Sequence, residues 1–434
     1  MRVGFVVVCL VVCVGCSGWL VREQQQSVGE TIDPGPAYEQ LFGRYVELCA
    51  VSQYRSVEHG EGGVPGHAVM YLKGACKDEN APTPELRACK TVATSVDDPE
   101  HGAGVSVNKW LENANWVATP SHRLFFQGAL EEGEAVNHET VDRTVRAVID
   151  AGVFKGVVFR PDMTAHASLE ETVGAEFLGT DFALRTARTS YCARLPVTET
   201  MMQDIIDYLN AVNRAYASGR AHYNWSGYSD NCSHLLHNAL AAASIWRPRS
   251  VQTSKLRQIG NLSVPANEVI DLAKLGTEGP LTDGREVYRN DEARDALLNL
   301  DWLPRRHGAV MTLVPAWEPN ELFDTHARIL LLQGLFRRNA IRTARRIYAD
   351  PRFTQLRPNL EEFRGIYVAM LEERDKRIAG GLLPLRSVRY LRPTKLYYRY
   401  VAEQLAEVDR MLAFLDGRAP AATAPSTELP PGAP

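Results

Sequence analysis

The feature that most constrains the fold is a short apolar segment at the N-terminus. Residues 3–14 are apolar except for Gly4, and Arg2 places a positive charge directly before them. A helix of this length is too short to cross the hydrocarbon layer, which is roughly 30 Å thick and takes about 20 residues. A short apolar segment behind a positive charge is typical of an export signal. We therefore expect residues 1–15 to be a signal peptide and the remaining chain to fold in an oxidising compartment, where cysteines pair.

The apolar segment ends at Val14-Gly15-Cys16, which resembles the lipobox of bacterial lipoproteins. The resemblance implies that Cys16 becomes the lipidated first residue of the mature chain and that a lipid membrane is its partner. Ser17 follows instead of Asp, which by the same resemblance favours the outer membrane. An ordinary signal peptide or an interfacial anchor is the alternative. We expect a protein on the periplasmic face of the bacterial envelope, held off the membrane by a polar tether at residues 16–35.

The overall composition excludes two classes of protein. The 434 residues include 48 Lys and Arg and 52 Asp and Glu, which gives a net charge of −4. Such a balance is neither that of a strongly basic nucleic-acid binder nor that of a polyacidic disordered chain. We therefore expect no nucleic-acid partner and, from the length, two or three domains.

Hydrophobic patterning divides the chain into two folded regions. Residues 36–262 mix short β-branched or aromatic stretches with helical spacing, which indicates an α+β fold. Residues 264–267 indicate a connector, residues 263–416 show mainly long helical patterns, and residues 417–434 are expected to be a disordered tail. The predicted strands are 67–72, 90–96, 104–107, 116–119, 123–126 and 156–160. The predicted helices are 37–52, 139–151, 198–217, 232–245, 291–300, 320–338, 340–348, 360–378 and 395–415.

The most specific segment is residues 223–243, which place Cys232 in the first turn of a predicted helix. Ser229 or Asp230 can cap that helix, because their side-chain oxygens accept hydrogen bonds from the free first-turn amides. The exposed amides and the helix dipole favour a thiolate at Cys232, as they do in reactive cysteines.

Two histidines lie on the same predicted helix. At about 100° per residue, His234 and His237 point away from the apolar stripe that begins with Cys232. That phase makes a zinc site with Cys232 unfavourable, so we expect no metal and a solvated face for both histidines.

A nucleophilic thiol needs a base, and His67 is the best candidate. It opens a predicted strand, and a histidine at a strand entrance can face a helix N-terminus across a cleft. A hydrogen-bonded surface histidine is the alternative interpretation.

Two segments carry a resemblance to a known family. Tyr223-Asn-Trp-Ser-Gly-Tyr-Ser-Asp-Asn-Cys232-Ser resembles the nucleophile segment of NlpC-type papain-like cysteine hydrolases, and the strand at His67 resembles their histidine strand. The order His before Cys is that of the circularly permuted branch, which includes amidases and acyltransferases. The resemblance covers roughly residues 60–245. It implies a permuted papain-like domain, with an antiparallel sheet and a nucleophile helix, in which Cys232 is the nucleophile, His67 is the base and no cofactor takes part.

Further site residues follow from the same resemblance, with alternatives open. A third polar residue should lie on the strand that follows the histidine strand. Its candidates are His101, Ser106 and Asn115. Tyr223 resembles the tyrosine that lines the family's nucleophile pocket, and simple aromatic packing is its alternative role. Trp225 and Asn231 are the other candidate substrate-binding residues of this segment.

Together these features predict a membrane-tethered periplasmic cysteine hydrolase or acyltransferase. Its substrate would be an envelope amide or ester, either a peptidoglycan peptide or a lipid acyl group, and the acyl-enzyme would form on Cys232. The alternative is a non-enzymatic envelope lipoprotein that uses a degenerate papain-like fold for binding or assembly.

The eight cysteines divide by expected role. Three lie in or directly after the export signal, and Cys232 is the candidate nucleophile. The other four are Cys49, Cys76, Cys89 and Cys192. An even number in an oxidising compartment indicates two disulfides, for which four cysteines allow three pairings. We predict Cys76–Cys89, which closes a short loop beside the histidine strand, and therefore Cys49–Cys192.

Overall fold

The chain folds into an α+β structure built on one large antiparallel sheet. The computed structural model describes residues 20–25, 31–57, 66–91, 93–221, 226, 230–248, 263–277, 279, 287, 289–298, 306–326, 328–333, 340–380 and 388–418. The strands in these ranges are β1 (Leu20–Gln25), β2 (Tyr45–Val51), β3 (His67–Lys73), β4 (Ala75–Lys77), β5 (Leu86–Ala88), β6 (Gly102–Val107), β7 (Trp116–Pro120), β8 (Ser190–Pro196), β9 (Val310–Val314) and β10 (Arg328–Gln333). The helices are α1 (Pro36–Leu41), α2 (His122–Phe126), α3 (His138–Asp150), α4 (Leu169–Glu176), α5 (Glu199–Ala217), α6 (Cys232–Ala242), α7 (Pro265–Thr277), α8 (Asp291–Leu298), α9 (Ala340–Ala349), α10 (Pro351–Thr354), α11 (Leu356–Ala379) and α12 (Val388–Leu415).

The large sheet has six strands in the order β7-β6-β3-β2-β8-β9, and every neighbouring pair is antiparallel. Two smaller antiparallel pairs, β1 with β10 and β4 with β5, lie outside it. At one end of the sheet β3 begins at His67, β2 ends at Val51 and β8 begins at Ser190. We call this edge the His67 end of the sheet.

Both faces of the sheet are covered. Because side chains alternate along a strand, β2 sends Val46, Leu48 and Ala50 into a core shared with α5, α6 and α7. Its other side chains, Tyr45 and Cys49 among them, enter a second core with α1, α11 and α12. A third, smaller core lies among α3, α4 and the loops around them. Residues buried on both faces explain why the strands read as continuous apolar runs rather than as alternating ones.

Many predicted elements are confirmed within a few residues. They are the strands predicted at 67–72, 104–107 and 116–119 and the helices predicted at 139–151, 198–217, 232–245, 291–300, 340–348, 360–378 and 395–415. Each has either a turn signal before it or several turns of helical spacing, which are the strongest local signals.

The helix predicted at 37–52 is wrong in its second half, because the chain leaves α1 at Leu41 and enters β2 at Tyr45. Pairing with β3 on one side and β8 on the other overrides the helical spacing of these apolar residues. The strand predicted at 123–126 is also wrong. Ser121 accepts a hydrogen bond from the amide of Leu124 and so begins the short helix α2.

Three further expectations are corrected. Residues 320–326 form a corner and residues 328–333 form β10, rather than the first part of a helix, and the predicted continuation at 334–338 lies outside the described residues. Residues 156–160 form a turn with one isolated bridge, and the described residues of 90–96 form no strand. The connector expected at residues 264–267 is helical from Pro265 onward, where α7 begins.

The structure confirms both predicted disulfides. Cys49 pairs with Cys192, and the two residues face each other in the register of β2 and β8. Cys76 pairs with Cys89 beside the β4–β5 hairpin. In the described part of the chain, Cys232 is the free cysteine.

The tether expected at residues 16–35 is not a free polar segment where the structure describes it. Residues 20–25 form β1, which pairs with β10, and Ile32 forms a bridge with Leu313. The other N-terminal and C-terminal expectations lie outside the described residues. These are the signal peptide at 1–15, the lipidation site Cys16 and all but the first two residues of the tail at 417–434. Among the helices that the structure describes, none combines the length and the apolar composition that crossing a bilayer needs.

Candidate functional site

Cys232 is the first residue of α6, as the sequence predicts. The cap of this helix is Asn231 rather than Ser229 or Asp230, because its Oδ1 accepts a hydrogen bond from the amide of His234 at 3.2 Å. Asp230 instead forms a backbone bridge with Ser226 just before the helix. The candidate substrate-binding residue Asn231 therefore has a structural role at the helix start.

The Cys232 thiol is partly buried against the start of β3. Its Sγ accepts a hydrogen bond from the amide of Ala68 at 3.4 Å. Burial raises the pKa of the thiol, while the amides of Ala68 and Ser233 lower it by a smaller amount. The resting side chain is consequently a thiol near neutral pH, because the ordinary pKa of cysteine already lies above 8.

His67 and Ser106 form the second part of the site. His67 Nε2 lies 2.9 Å from Ser106 Oγ, and that hydroxyl donates to the carbonyl of Thr180 at 3.1 Å. A hydroxyl has one hydrogen, and a carbonyl oxygen can only accept. Ser106 must therefore accept its bond from His67, which puts the ring proton on Nε2 and leaves Nδ1 as the proton acceptor.

Arg188 adds a buried positive charge at the His67 end of the sheet. Its guanidinium donates to the Ser52 carbonyl at 2.9 Å and to Thr180 Oγ1 at 3.1 Å, while Nε has no partner among the described residues. Burial, and then the charge of Arg188, lower the pKa of His67 to about 3. The imidazole is therefore neutral over the physiological range.

Asp181 is a further polar residue near the His67 end of the sheet, and the sequence analysis did not predict it. It is fully buried, and its Oδ2 accepts a hydrogen bond from Asn108 Nδ2 at 2.7 Å. Burial raises its pKa to about 7, although Ser106, Asn108 and Arg188 act in the opposite direction. The segment around Asp181 has no periodic pattern, so no local signal marks it.

A small apolar pocket lies on the α6 side of the sheet. Its lining residues include Ala50, Tyr191, Val269, Ile329 and Tyr348. Ala50 pairs with Ala68 in the register of β2 and β3, so the pocket is one strand away from the amide that contacts Cys232. Neither Cys232 nor Ala68 is among the residues that line it.

No protein-family model, no curated protein and no solved structure matches this chain. The function is therefore argued from the geometry of the site.

The structure brings together Cys232, the start of β3 at His67, and Ser106, but not the other two candidates for the third polar residue. His101 lies at the opposite end of β3, where it contacts Glu39 at 3.0 Å and Tyr71 at 2.7 Å. Asn115 lies just before β7, and its backbone N–H donates a hydrogen bond to Asn213 Oδ1. Tyr223 and Trp225 lie outside the described residues.

The solvated face expected for His234 and His237 is wrong, since both residues are buried. His237 Nδ1 lies 2.7 Å from Glu268 on α7, and its ring stacks on Trp246. Helix α7, which the sequence analysis did not predict, covers this side of α6.

Proposed function

We propose that this chain is a cysteine hydrolase or acyltransferase in which Cys232 is the nucleophile and His67 the base. The observation that carries the proposal is that Cys232 Sγ accepts a hydrogen bond from Ala68, the residue next to His67, while Ser106 holds the His67 ring by Nε2. That arrangement leaves Nδ1 available for a proton, as a nucleophile and base pair requires.

The reaction would proceed by acyl transfer. As Cys232 Sγ bonds to the carbonyl carbon of an amide or ester, its proton moves to Nδ1 of His67. The imidazolium then gives this proton to the departing amine or alcohol, and a thioester remains on Cys232. Water or a second acceptor gives a proton to Nδ1 as it attacks the thioester, the C–S bond breaks, and the imidazolium returns that proton to Cys232 Sγ. The backbone amide of Cys232, in the first turn of α6, is the natural donor to the oxyanion.

The resting charges favour a neutral pair. The thiol has a raised pKa, and the imidazole has a pKa of about 3, so a preformed thiolate–imidazolium pair is unfavourable. Proton transfer would accompany the attack of Cys232 on the carbonyl, as in enzymes with a hydroxyl nucleophile.

Fold and compartment fit this proposal. A nucleophile helix packed against an antiparallel sheet, with His preceding Cys along the chain, is the arrangement of a permuted papain-like domain. Two disulfides support an exported protein. The lipid anchor at Cys16, on the periplasmic side of the outer membrane, is part of the proposal and rests on the lipobox resemblance alone. The substrate would be an envelope amide or ester, in a peptidoglycan peptide or a lipid acyl group, and the test therefore includes both.

The test uses the full-length protein with Cys232→Ala, His67→Asn and the matched control His166→Asn. His166 contacts Glu176 at the end of α4, and it forms no hydrogen bond or ion pair with Cys232, His67 or Ser106 among the described residues. Turnover of muropeptides and of phospholipids is measured side by side, with mass-spectrometric trapping of the acyl-enzyme. We expect one substrate class to acylate Cys232 and both site variants to lose at least 100-fold in rate. Unchanged turnover in Cys232→Ala would contradict the proposal.

A second candidate function is supported by the orientation of His67. Alternation along β3 puts the His67 side chain on the face of Val69 and Tyr71, whereas α6 packs on the opposite face with Ala68. Cys232 thus reaches the base only around the end of the sheet. If neither substrate class is turned over and no acyl-enzyme forms, the second candidate is favoured. The protein would then be a non-enzymatic lipoprotein that uses this fold for binding or assembly.

A further inference from the structure

We propose that Arg188 is a positioning residue that determines which ring nitrogen of His67 carries the proton. The proposal deepens the function proposed for Cys232 and His67 and rests on it. Arg188 does not touch the substrate or the reacting atoms. It acts through Thr180 and Ser106, which connect it to His67 by consecutive hydrogen bonds.

The guanidinium of Arg188 joins the strand beside His67 to the turn at Thr180. Its Nη1 donates to the carbonyl of Ser52 at 2.9 Å, and Ser52 directly follows Val51, which pairs with His67 in the register of β2 and β3. Its Nη2 donates to Thr180 Oγ1 at 3.1 Å. Because a guanidinium is planar and rigid, these two bonds fix Thr180 relative to the strand beside His67.

Thr180 in turn fixes the hydroxyl of Ser106. Its carbonyl accepts the Ser106 hydrogen at 3.1 Å, and the Ser106 oxygen therefore accepts from His67 Nε2 at 2.9 Å. Without that carbonyl in reach, the hydroxyl is free to donate to Nε2, and the ring proton then lies on Nδ1. A proton on Nδ1 removes the acceptor that the Cys232 thiol needs. The bond from Arg188 to Thr180 thus favours the form of His67 that can act as a base.

The burial of Arg188 is costly, which supports a specific role for its shape. The side chain is only 5% exposed, forms no ion pair with a described acidic residue, and leaves Nε without a hydrogen-bond partner. The ring of Tyr54, with its centroid 5.4 Å away, gives a cation–π contact but no countercharge. A buried charge without a counter-ion destabilises a fold. Burial lowers the pKa of Arg188 to about 10, so the guanidinium still carries all its donors near neutral pH.

The test reads the ring proton of His67 directly. The full-length protein, labelled with ¹⁵N at histidine, is compared by NMR with Thr180→Val, which removes the acceptor of Arg188 and leaves the shape of the side chain almost unchanged. We expect the proton on Nε2 in the wild type and a mixture of the two ring forms in Thr180→Val. Where a substrate is turned over, kcat should fall by roughly five- to tenfold with KM unchanged, as expected for the loss of one neutral hydrogen bond.

The matched controls are Thr180→Ser and Thr186→Val. Thr180→Ser keeps the hydroxyl that accepts from Arg188 and should restore the wild-type ring form. Thr186 is buried, and its hydroxyl donates to the Ala183 carbonyl rather than to any residue of the site. Thr186→Val should therefore lose stability without changing the His67 ring. The proposal is overturned if Thr180→Val keeps the wild-type ring form, or if Thr186→Val changes it as much.

Arg188→Lys separates shape from charge. It keeps the positive charge but replaces the rigid fork with a single ammonium, so we expect the same mixture of ring forms as in Thr180→Val. If Arg188→Lys does not fold, Thr180→Val still decides the question. The NMR readout needs no substrate and is therefore separable from the proposed function. A changed ring form without any turnover supports the role of Arg188 and refutes catalysis, whereas Cys232-dependent turnover with an unchanged ring form refutes only the role of Arg188.

Discussion

Burial sets the charge of three ionisable side chains at the His67 end of the sheet. It raises the pKa of the Cys232 thiol, lowers the pKa of His67 to about 3 and raises the pKa of Asp181 to about 7. In each case the loss of hydration of the charged form is the largest cause. Near neutral pH, Asp181 is therefore the member of this trio that changes charge.

Asp181 should also make the stability of the fold depend on pH. Its folded pKa of about 7 lies above the ordinary aspartate pKa of 3.8, so its stabilising contribution is complete below pH 3.8 and is lost as pH rises through 7. Asp181→Asn cannot ionise and should gain roughly 2–3 kcal/mol relative to the wild type between about pH 5 and pH 8, at about 1.4 kcal/mol per pKa unit. Urea unfolding at both pH values measures this, and an equal difference at both would show that Asp181 does not titrate in this range.

At the scale of single residues, the sequence predicts those site residues that a neighbouring sequence pattern marks, such as a helix cap or a turn. Cys232 follows a capping segment and begins an apolar helical stripe, and His67 opens a strand after a turn. Asp181 and Arg188 have no such signal, because they reach the site through contacts between distant segments. Ser106 and Thr180, for example, are 74 positions apart.

At the scale of elements, β2 and β8 carry a buried ion pair on the face opposite to α6. Arg194 Nε lies 2.9 Å from Glu47 Oε1, and Thr312 on β9 donates to the same carboxylate at 2.7 Å. Burial by itself would raise the pKa of Glu47, but Arg194 together with His122 and Thr312 lowers it to about 2. Its stabilising contribution is therefore present above the unfolded pKa and is lost as pH falls toward 2.

Removing one partner of this pair should destabilise the sheet. We expect Arg194→Met to cost about 3–5 kcal/mol at neutral pH, because it leaves a buried carboxylate without its cation. The matched control is Arg214→Met, whose ion pair with Glu85 is exposed on the arginine side and should cost less than about 1 kcal/mol. Denaturant unfolding of both variants measures the difference, and equal costs would mean that burial does not set the strength of the Glu47 pair.

Errors of prediction also occur at this scale, and those at β2, β8 and β9 share one cause. The apolar residues of β2 have helical spacing, yet they pair with strands on both sides and are buried on both faces. The sequence analysis did not predict strands β8 and β9 for the same reason. A strand buried on both faces lacks the alternation of apolar and polar residues that marks a half-exposed strand. Helix α2 shows the reverse case, in which one capping side chain at Ser121 decides a short segment.

At the scale of the whole molecule, the sheet joins segments that are far apart in sequence. Strand β9, at Val310–Val314, completes the sheet beside β8, and α7 covers the same face as α6. The boundary predicted between residues 262 and 263 thus separates segments that share one sheet. Sequence patterns identify helices and strands one at a time, but they do not state which of them meet, and the division into domains stays a prediction.

The two disulfides should differ in their effect on the stability of the molecule. Cys49 and Cys192 are 143 positions apart, whereas Cys76 and Cys89 are 13 apart. A cross-link stabilises mainly by restricting the unfolded chain, and the effect grows with the logarithm of the loop length. We therefore expect Cys49→Ala with Cys192→Ala to cost about 5 kcal/mol and Cys76→Ala with Cys89→Ala to cost about 3 kcal/mol. Urea unfolding of the two double variants under one set of conditions measures this order. Because the Cys49–Cys192 pair joins the central strand β2 to β8, a reversed order would mean that the unfolded chain already keeps these strands close together.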